Sequence, residues 1–406
     1  MCPRTLGIEN CTQSIETGIN RNTTKIKKDI FTFKTQNDNN KYYIYKRNSN
    51  YAIFLGEILG LNFKGEVTQH SDNDKYIIPS GPISPKEGRR LNISSSTQLF
   101  GSVIPPIHAT KSIVHPTVPY PKYVPNSYTP KLAFFLMRNK LIPPGFTIFS
   151  KEDYWQAINV FLKRDLVPRM KFPFKSGLSE QRLIYCKQEA FNLSKCINWD
   201  RISRVGLVLE ANVINTVKSS NPKSYTTATI ELDRYKYSYI GEQIIKEEKI
   251  PGVEYLTKFR IVKGQVKKLY SLVSNDLKPL VDKTMLVHHA FRLLPHFICS
   301  RFNFNFIYGQ IETWSKKGSS RHSTDIYFTE QTFRPGRATG GVLLSVKEFL
   351  LNPGIRYISA ESSTHFGKKY PKQYRYNSKI FFDGIDPYYG PTQCWAILNS
   401  IKYLSQ

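Results

Sequence analysis

Acidic residues are scarce in this sequence. Its 406 residues contain 31 Asp and Glu against 58 Lys and Arg, which gives a formal charge of +27 at pH 7. This balance suits a nucleic-acid partner, or an anionic substrate such as a nucleotide. The cations are spread along the whole chain and form no long basic tail. Binding of nucleic acid as the primary role is therefore kept as the less favoured alternative.

Cysteine is also scarce, and long apolar runs are missing. The six cysteines are too scattered for a zinc knuckle or a disulfide framework, so we expect reduced thiols. No apolar run reaches the ~18–20 residues that cross a bilayer. Residues 1–7 lack the charged-then-apolar plan of a secretory signal. These absences argue against a disulfide-stapled or membrane-spanning chain and predict a cytoplasmic protein with no membrane partner.

The remaining composition is that of a folded protein. Hydrophobic residues make up 40% and aromatic residues 13% of the chain. The length is enough for two or three domains, because single cores stop growing at roughly 250–300 residues. Residues 1–48 are polar and lack a periodic apolar pattern, so we expect a removable extension there. The proline-rich stretch Pro116–Pro130 predicts a link after the first globular unit.

The stretch 325–336 carries the strongest chemical signal. It alternates β-favouring residues and places Glu330, Thr332 and Arg334 two residues apart before Pro335 and Gly336 end the strand. Residues at this spacing share one face of a strand, so the three side chains are expected to point at one place. A carboxylate beside a guanidinium suits a metal-bound polyphosphate. A solvated strand with a surface ion pair is the alternative.

Further candidates for phosphate contacts lie earlier in the chain. Lys111 follows a loop, and Lys171 ends a predicted strand just before a small-residue loop. Glu210 ends an apolar strand, where a carboxylate at the lip of a sheet often faces a ligand. His108 and His115 are seven residues apart among structure-breaking prolines, so we interpret them as ordinary polar residues rather than as a metal pair.

The late strands predict the fold class. In 300–309, Phe302, Phe304 and Phe306 alternate with asparagines in a period of two, so the aromatics should face the core. The connection to the 325–334 strand is too short for a parallel crossover, so the two strands should pair antiparallel. Helices and strands alternate from about residue 130, and we expect an α+β architecture with two sheets facing a cleft.

The order of these features resembles the ATP-grasp ligases. More closely, the chain resembles a bacterial family of unknown function that is related to ATP-grasp enzymes and has members labelled biotin-carboxylase-like. The resemblance covers roughly residues 50 to 395. The motifs that carry it are Leu99–Pro105 with His108–Pro116, Gly206–Glu210, Tyr239–Gln243, Glu330–Arg334 and Gly384–Gly390.

The resemblance implies a function and a set of roles. ATP would lie between two α+β lobes, with Lys111 and Lys171 on its phosphates and Glu210 in the hinge region that binds adenine and ribose. Glu330 would be the principal Mg²⁺ ligand, and Arg334 would act with Lys171 in phosphoryl transfer. The reaction would convert a carboxylate to an acylphosphate that an amine or a similar nucleophile attacks. Positioning and charge neutralisation would supply most of the catalysis.

The sequence departs from the ATP-grasp pattern at three places. Residues 174–179 replace the usual double-glycine phosphate loop. Asn305 replaces an acidic second metal contact, and Thr332 replaces the usual asparagine of the metal pair. An amide and a hydroxyl coordinate Mg²⁺ only as neutral ligands, so metal affinity should be lower. An ATP-grasp fold that has lost activity and serves as a binding or interaction module is therefore an alternative.

The expected architecture consists of two ATP-grasp-like lobes around a nucleotide cleft, preceded by a smaller N-terminal α/β domain. The expected boundaries are a polar extension over 1–48, the α/β domain over 49–125, the first lobe over 126–265, and the second lobe, with the metal and phosphate strands, over 266–406.

Overall fold

The computed structural model describes most of the chain. The residues that it describes are 29–35, 42–67, 75–173, 181–215, 223–232, 234–247, 252–314, 324–367, 378–387 and 389–404. The expected phosphate loop at 174–179 lies outside these residues.

Helices and strands alternate early and strands dominate late. The α-helices of the described residues are α1 (Tyr42–Leu59), α2 (Pro85–Arg90), α3 (Pro130–Arg138), α4 (Lys151–Lys163), α5 (Lys187–Cys196), α6 (Trp199–Val205), α7 (Lys278–Arg292) and α8 (Thr339–Leu351). The strands are β1 (Asp29–Phe33), β2 (Asn62–Glu66), β3 (Lys75–Pro79), β4 (Ser102–Val103), β5 (Gly145–Ile148), β6 (Pro168–Lys171), β7 (Gln181–Leu183), β8 (Leu207–Ala211), β9 (Val213–Ile214), β10 (Lys223–Leu232), β11 (Tyr235–Glu247), β12 (Gly252–Lys263), β13 (Ile298–Cys299), β14 (Arg301–Ile311), β15 (Asp325–Thr332), β16 (Ile355–Gly367), β17 (Lys379–Asp386) and β18 (Gly390–Tyr403).

The N-terminal unit is a parallel sheet in the order β2-β1-β3, covered by α1. Its central strand β1 and the first turns of α1 lie inside residues 1–48. The expected polar extension is therefore wrong for 29–35 and 42–48. The stretch 29–33 is too short to show a period, and α1 hides its apolar face among polar residues: Tyr43, Ile44, Tyr51 and Leu55 are buried at helical spacing.

The first lobe is built on an antiparallel sheet in the order β5-β8-β6-β7. The helix α4 packs beside it and begins at Ser150, whose hydroxyl accepts a hydrogen bond from the Asp153 amide at 3.1 Å. Ser150 is therefore the N-cap of α4. The inner position of β8 explains why all five of its residues, Glu210 included, are buried.

The second lobe is an antiparallel sheet with the strand order β15-β14-β10-β11-β12-β16-β18-β17. The short strand β9 joins this sheet by pairing with β14. On one face, α7 packs against the row Phe302, Phe304 and Phe306, which confirms the predicted alternation. On the other face, α1 and α8 pack against residues that include Tyr239 and Phe259. The predicted antiparallel pairing of the two late strands is confirmed.

The expected boundary between the lobes at 265/266 needs correction. The strands β10, β11 and β12 fall within 126–265 but pair with β14 and β16 in the second sheet. Pairing between strands so distant in sequence leaves no local signal, whereas the helix at 278–292 interrupts the strand pattern and suggests a break. Within the described residues, no helix combines the length and the apolar character needed to cross a membrane.

Candidate functional site

A β-bulge sets the direction of Glu330. Asn305 on β14 lies opposite Glu330, but Phe306 lies opposite Phe328, so Thr329 is an extra residue. Phe328 therefore packs in the core while Glu330 and Thr332, two and four residues further on, face the opposite side of the sheet. Strict alternation would have placed Phe328 and Glu330 on one face.

Glu330 lies in a short chain of polar contacts. The Lys111 ammonium is 2.9 Å from Oε2 of Glu330, and the Asn305 amide donates to Oε1 at 3.0 Å. Gln243 in turn donates from Nε2 to Oδ1 of Asn305 at 3.2 Å. Burial raises the pKa of Glu330, but the charge and hydrogen bond of Lys111, the Lys171 charge and the Asn305 hydrogen bond together outweigh it and lower the pKa to about 2. Glu330 is therefore an ionised carboxylate with both oxygens engaged.

Lys111 reaches Glu330 because the neighbouring residue of β15 fixes its segment. The buried amide of Gln331 donates from Nε2 to the carbonyl of Thr110 at 2.7 Å and to that of His108 at 3.1 Å. The Thr110 hydroxyl accepts from the Ser112 amide at 3.2 Å and begins the short turn that carries Lys111. The contact thus joins residues that are far apart in the sequence, and the sequence gives no sign of it.

The second charged group lies in the first lobe. Lys171, at the end of β6, forms an ion pair with Oε1 of Glu210 on the neighbouring β8. His115 places Nε2 at 3.0 Å from Oε2 of the same carboxylate. Burial raises the pKa of Glu210, but the Lys171 charge and the His115 hydrogen bond lower it to about 2. Burial also lowers the pKa of Lys171, which the Glu210 charge partly offsets.

Close packing at Gly145 holds His115 in place. Gly145 lies opposite Glu210 in the β5–β8 pair, and a Cβ at this position would stand 2.6 Å from Nδ1 of His115 and 2.8 Å from the Leu209 carbonyl. The histidine, which we interpreted from the sequence as an ordinary polar residue, is a direct partner of the predicted hinge carboxylate. Its proximity in sequence to Lys111 was the only available signal.

The two charged groups influence each other across the lobes. The Lys111 charge lowers and the Glu330 charge raises the pKa of Lys171, and the Lys171 charge lowers that of Glu330. Four predicted residues, Lys111, Lys171, Glu210 and Glu330, therefore lie in one electrostatic cluster between the two sheets. Each of the two lysines is paired with a carboxylate.

A pocket of about 330 Å³ opens beside this cluster, on the sheet face that α1 covers. Glu330, Asn305, Thr332 and Arg334 line it, as the shared strand face predicted. Lys111, Lys171 and Glu210 are not among its lining residues and lie buried beyond it. Residues that line the pocket and that the sequence reasoning missed are Tyr43, Arg47, Gln243, Tyr255 and Arg337.

The oxygen atoms near Glu330 could bind Mg²⁺ only if a ligand such as a phosphate supplied further oxygen atoms. Glu330 supplies one carboxylate, Asn305 an amide oxygen and Thr332 a hydroxyl near the same pocket. No cluster of three or more His, Cys, Asp or Glu with metal-binding geometry occurs among the described residues. Mg²⁺ is commonly held by one or two carboxylates together with phosphate oxygens and water. These residues fit that arrangement, provided that Lys111 releases Oε2 of Glu330.

The fold is ATP-grasp-like, as its similarity to a solved structure shows. The biotin carboxylase domain of a 2-oxoglutarate carboxylase from Hydrogenobacter thermophilus, solved with MgADP, ADP and bicarbonate, matches with a TM-score of 0.52 and 10% identity over 94% of this chain and 87% of that one. An N5-carboxyaminoimidazole ribonucleotide synthetase in complex with ADP has a TM-score of 0.47 and 9% identity, covering 92% and 93% of the two chains.

The family assignment follows from the sequence itself. Residues 32–396 match the family described as "Protein of unknown function (DUF3182)", and the chain belongs to this family. An ATP-grasp domain protein related to RimK, from Sphaerobacter thermophilus, is similar with a TM-score of 0.37 and 9% identity over 78% of this chain and 96% of that one. No curated protein matches the chain.

Proposed function

We propose that this protein is an ATP-dependent ligase that activates a carboxylate as an acylphosphate for attack by an amine or a similar nucleophile. One observation carries the proposal. Two buried lysines on separate segments, Lys111 and Lys171, converge between two antiparallel sheets beside a pocket that contains Glu330 and Arg334. Cations for phosphates next to a carboxylate for a metal are what bound ATP requires.

In this proposal, the ion pairs mark a resting state. Lys111 and Lys171 would exchange Glu330 and Glu210 for phosphate oxygens when the nucleotide binds. The exchange frees Oε2 of Glu330, with Asn305 and Thr332 beside it, for a metal ion. Mg²⁺ would neutralise charge on the phosphates when bound. His115 stays on Glu210 and keeps that buried carboxylate from losing every partner.

Arg334 would serve the transfer step. Its guanidinium lines the pocket and forms no ion pair with a carboxylate in the described part of the chain. A carboxylate oxygen of the substrate attacks the γ-phosphorus, ADP leaves, and Arg334 stabilises the charge on the moving phosphoryl group. The nucleophile then attacks the acylphosphate carbon, phosphate leaves, and the nucleophile gives its proton to solvent.

A thermal-shift series tests this proposal. ATP with Mg²⁺ at a hundred times its Kd should stabilise the fold by about 2.7 kcal/mol. Lys171→Ala should remove most of the shift, and Glu330→Gln should weaken its dependence on Mg²⁺. Lys163→Ala, an exposed lysine on α4, is the matched control and should keep the full shift. A wild-type protein that shows no shift at millimolar ATP would end the proposal.

The first alternative is an ATP-grasp fold that has lost activity and serves as a binding or interaction module. It is favoured by the single carboxylate of the metal site, since Asn305 and Thr332 are neutral donors. In that case ATP raises the melting temperature, but no ADP forms with any carboxylate and amine offered.

A basic groove supports the nucleic-acid alternative. A cavity of about 730 Å³ at the far end of the second sheet is lined by six cations and by the two tyrosines Tyr235 and Tyr270. The six cations are Arg234, Lys236, Lys263, Lys267, Lys268 and Arg356. Tyrosines between cations suit the stacking of single-stranded bases. Affinity for a random single strand should then fall steeply with salt, and a flat salt response would exclude this function.

A further inference from the structure

The pocket beside Glu330 is dominated by arginine. Arg47 from α1 and Arg334 and Arg337 from the segment after β15 line it. Glu330, the one acidic residue among the described residues that line it, already faces the Lys111 ammonium at 2.9 Å. Among the described residues, no carboxylate forms an ion pair with any of the three arginines. Among the described residues, the pocket therefore holds an excess of positive charge.

Arg47 is buried with weak partners. It is 2% exposed, and its Nη2 donates at 3.4 Å to the Pro335 carbonyl and to the Asn48 side chain. Its Nε has no hydrogen-bond partner in the described part of the chain. The Tyr43 and Tyr51 rings flank its guanidinium at 5.6 and 5.4 Å. Buried guanidinium groups are usually paired with a carboxylate, and here the aromatic rings hold the cation toward the pocket instead.

A fourth arginine lies directly behind the pocket. Arg301 is fully buried, and none of its three side-chain nitrogens forms a hydrogen bond with a described residue. Burial raises the pKa of Tyr239 and the nearby Arg301 charge opposes that rise, so the Tyr239 hydroxyl is the polar group beside the guanidinium. Gly336 lines the pocket, and a Cβ built there would stand 4.0 Å from Nη2 of Arg301. Gly336 thus lies between the pocket and the buried Arg301 guanidinium, with no side chain of its own there.

We propose that this pocket binds the acceptor substrate as a small molecule with at least two anionic groups. The reacting carboxylate lies beside Arg334 and Glu330, and the second anion lies between Arg47 and Arg337, with Arg301 behind it. Dicarboxylates and phosphorylated carboxylates share this chemistry, and the volume of about 330 Å³ suits a small metabolite. The assignment as acceptor rests on the proposed ligase function, whereas the binding of a dianion does not.

Keeping buried arginines without carboxylate partners has an energetic cost. An unpaired buried charge destabilises a fold, and replacing it with an apolar side chain is often neutral or stabilising. Arg301 and Arg47 form no ion pair with a described carboxylate, and a ligand that supplies the missing charge would account for their retention. A purely structural role for Arg301 makes the opposite prediction, since its removal would then destabilise the free protein.

The experiment is a set of melting curves of the full chain at constant ionic strength, with acetate, succinate, inorganic phosphate and 3-phosphoglycerate as probes. Succinate or 3-phosphoglycerate should bind at least about tenfold more tightly than acetate, because charge-assisted hydrogen bonds are added. The stronger of the two probes identifies the second anion as carboxylate or phosphoryl. Equal shifts for acetate and both dianions would overturn the proposal.

Variants separate a binding role from a structural one. Arg47→Gln and Arg301→Met should each weaken the dianion by about tenfold or more. Arg301→Met should leave the melting temperature of the free protein unchanged or higher, and a lower value with intact dianion binding would overturn the proposal. Arg138→Gln, an exposed arginine at the end of α3, is the matched control and should bind as the wild type does.

Melting curves with MgATP and the dianion together test the anion pocket separately from the proposed ligase function. MgATP and the dianion should bind together, so that their shifts add. If the dianion binds and ATP does not, the ligase function fails while the anion pocket stands. If ATP binds and excludes the dianion, the arginines serve the phosphates of the nucleotide and this inference is wrong.

Discussion

The buried pair of Lys171 and Glu210 allows a quantitative test of the site. In Lys171→Met, a side chain of similar length remains but its charge is lost. Glu210, 3% exposed, would then keep His115 at 3.0 Å as its polar partner. Breaking a buried ion pair from one side costs about 3–5 kcal/mol, because a buried charge is left uncompensated.

The reverse substitution should cost less. In Glu210→Gln, the shape is kept, and the pKa of Lys171, already lowered by burial, allows the lysine to lose its proton instead of remaining as a buried cation. The double variant Lys171→Met with Glu210→Gln removes both charges and should recover part of the loss. The expected order of the free energy of unfolding is wild type, then Glu210→Gln and the double variant, then Lys171→Met.

Urea unfolding followed by tryptophan fluorescence is a suitable assay, because Trp155 and Trp199 are partly buried against the core of the first lobe. A loss of 3–5 kcal/mol lowers the urea midpoint by about 1 M or more. An unchanged urea midpoint for Lys171→Met, or a double variant less stable than Lys171→Met, would show that Lys171 does not compensate the buried Glu210 charge.

Three further predictions follow from the fold and the site. A chain that begins at residue 49 should unfold at a lower temperature than one that begins at residue 29, because it lacks the central strand β1 and the start of α1; equal melting temperatures would contradict this. Burial raises the pKa of Glu210 but its ion pair lowers it from 4.5 to about 2, so the stability that it contributes above pH 4.5 should disappear as the pH falls toward 2. In Glu210→Gln, the slope of melting temperature against pH in this range should flatten, and an unchanged slope would assign the acid sensitivity to other groups. Gly145→Ala should destabilise the protein by roughly 1–3 kcal/mol by pushing against His115, and an unaltered unfolding midpoint would show that the ring moves freely.

Local patterns predicted the second lobe well. The alternation of Phe302, Phe304 and Phe306 with asparagines identified β14 and its buried face, because a period of two is a property of the strand itself. The spacing of Glu330, Thr332 and Arg334 likewise predicted that these side chains face one pocket. Such signals need no knowledge of distant segments.

Other features depend on contacts that leave no local trace. The bulge at Thr329 is visible only once β14 and β15 are in register. The strand β1 is central because β2 and β3 pair with it on both sides, and its five residues carry no period. The pairing of Lys111 with Glu330 requires the Gln331 side chain to hold the 108–111 segment. The functional roles of Lys111, Lys171, Glu210 and Glu330 remain predictions.

We propose that Lys111 and Lys171 exchange their carboxylate partners for nucleotide phosphates, and the decisive measurement is a crystal structure grown with a non-hydrolysable ATP analogue and Mg²⁺. In that complex, Nζ of Lys111 and Nζ of Lys171 should lie within hydrogen-bond distance of phosphate oxygens, and Oε2 of Glu330 should turn toward the metal. A nucleotide bound elsewhere, with the Lys111–Glu330 and Lys171–Glu210 pairs intact, would contradict it.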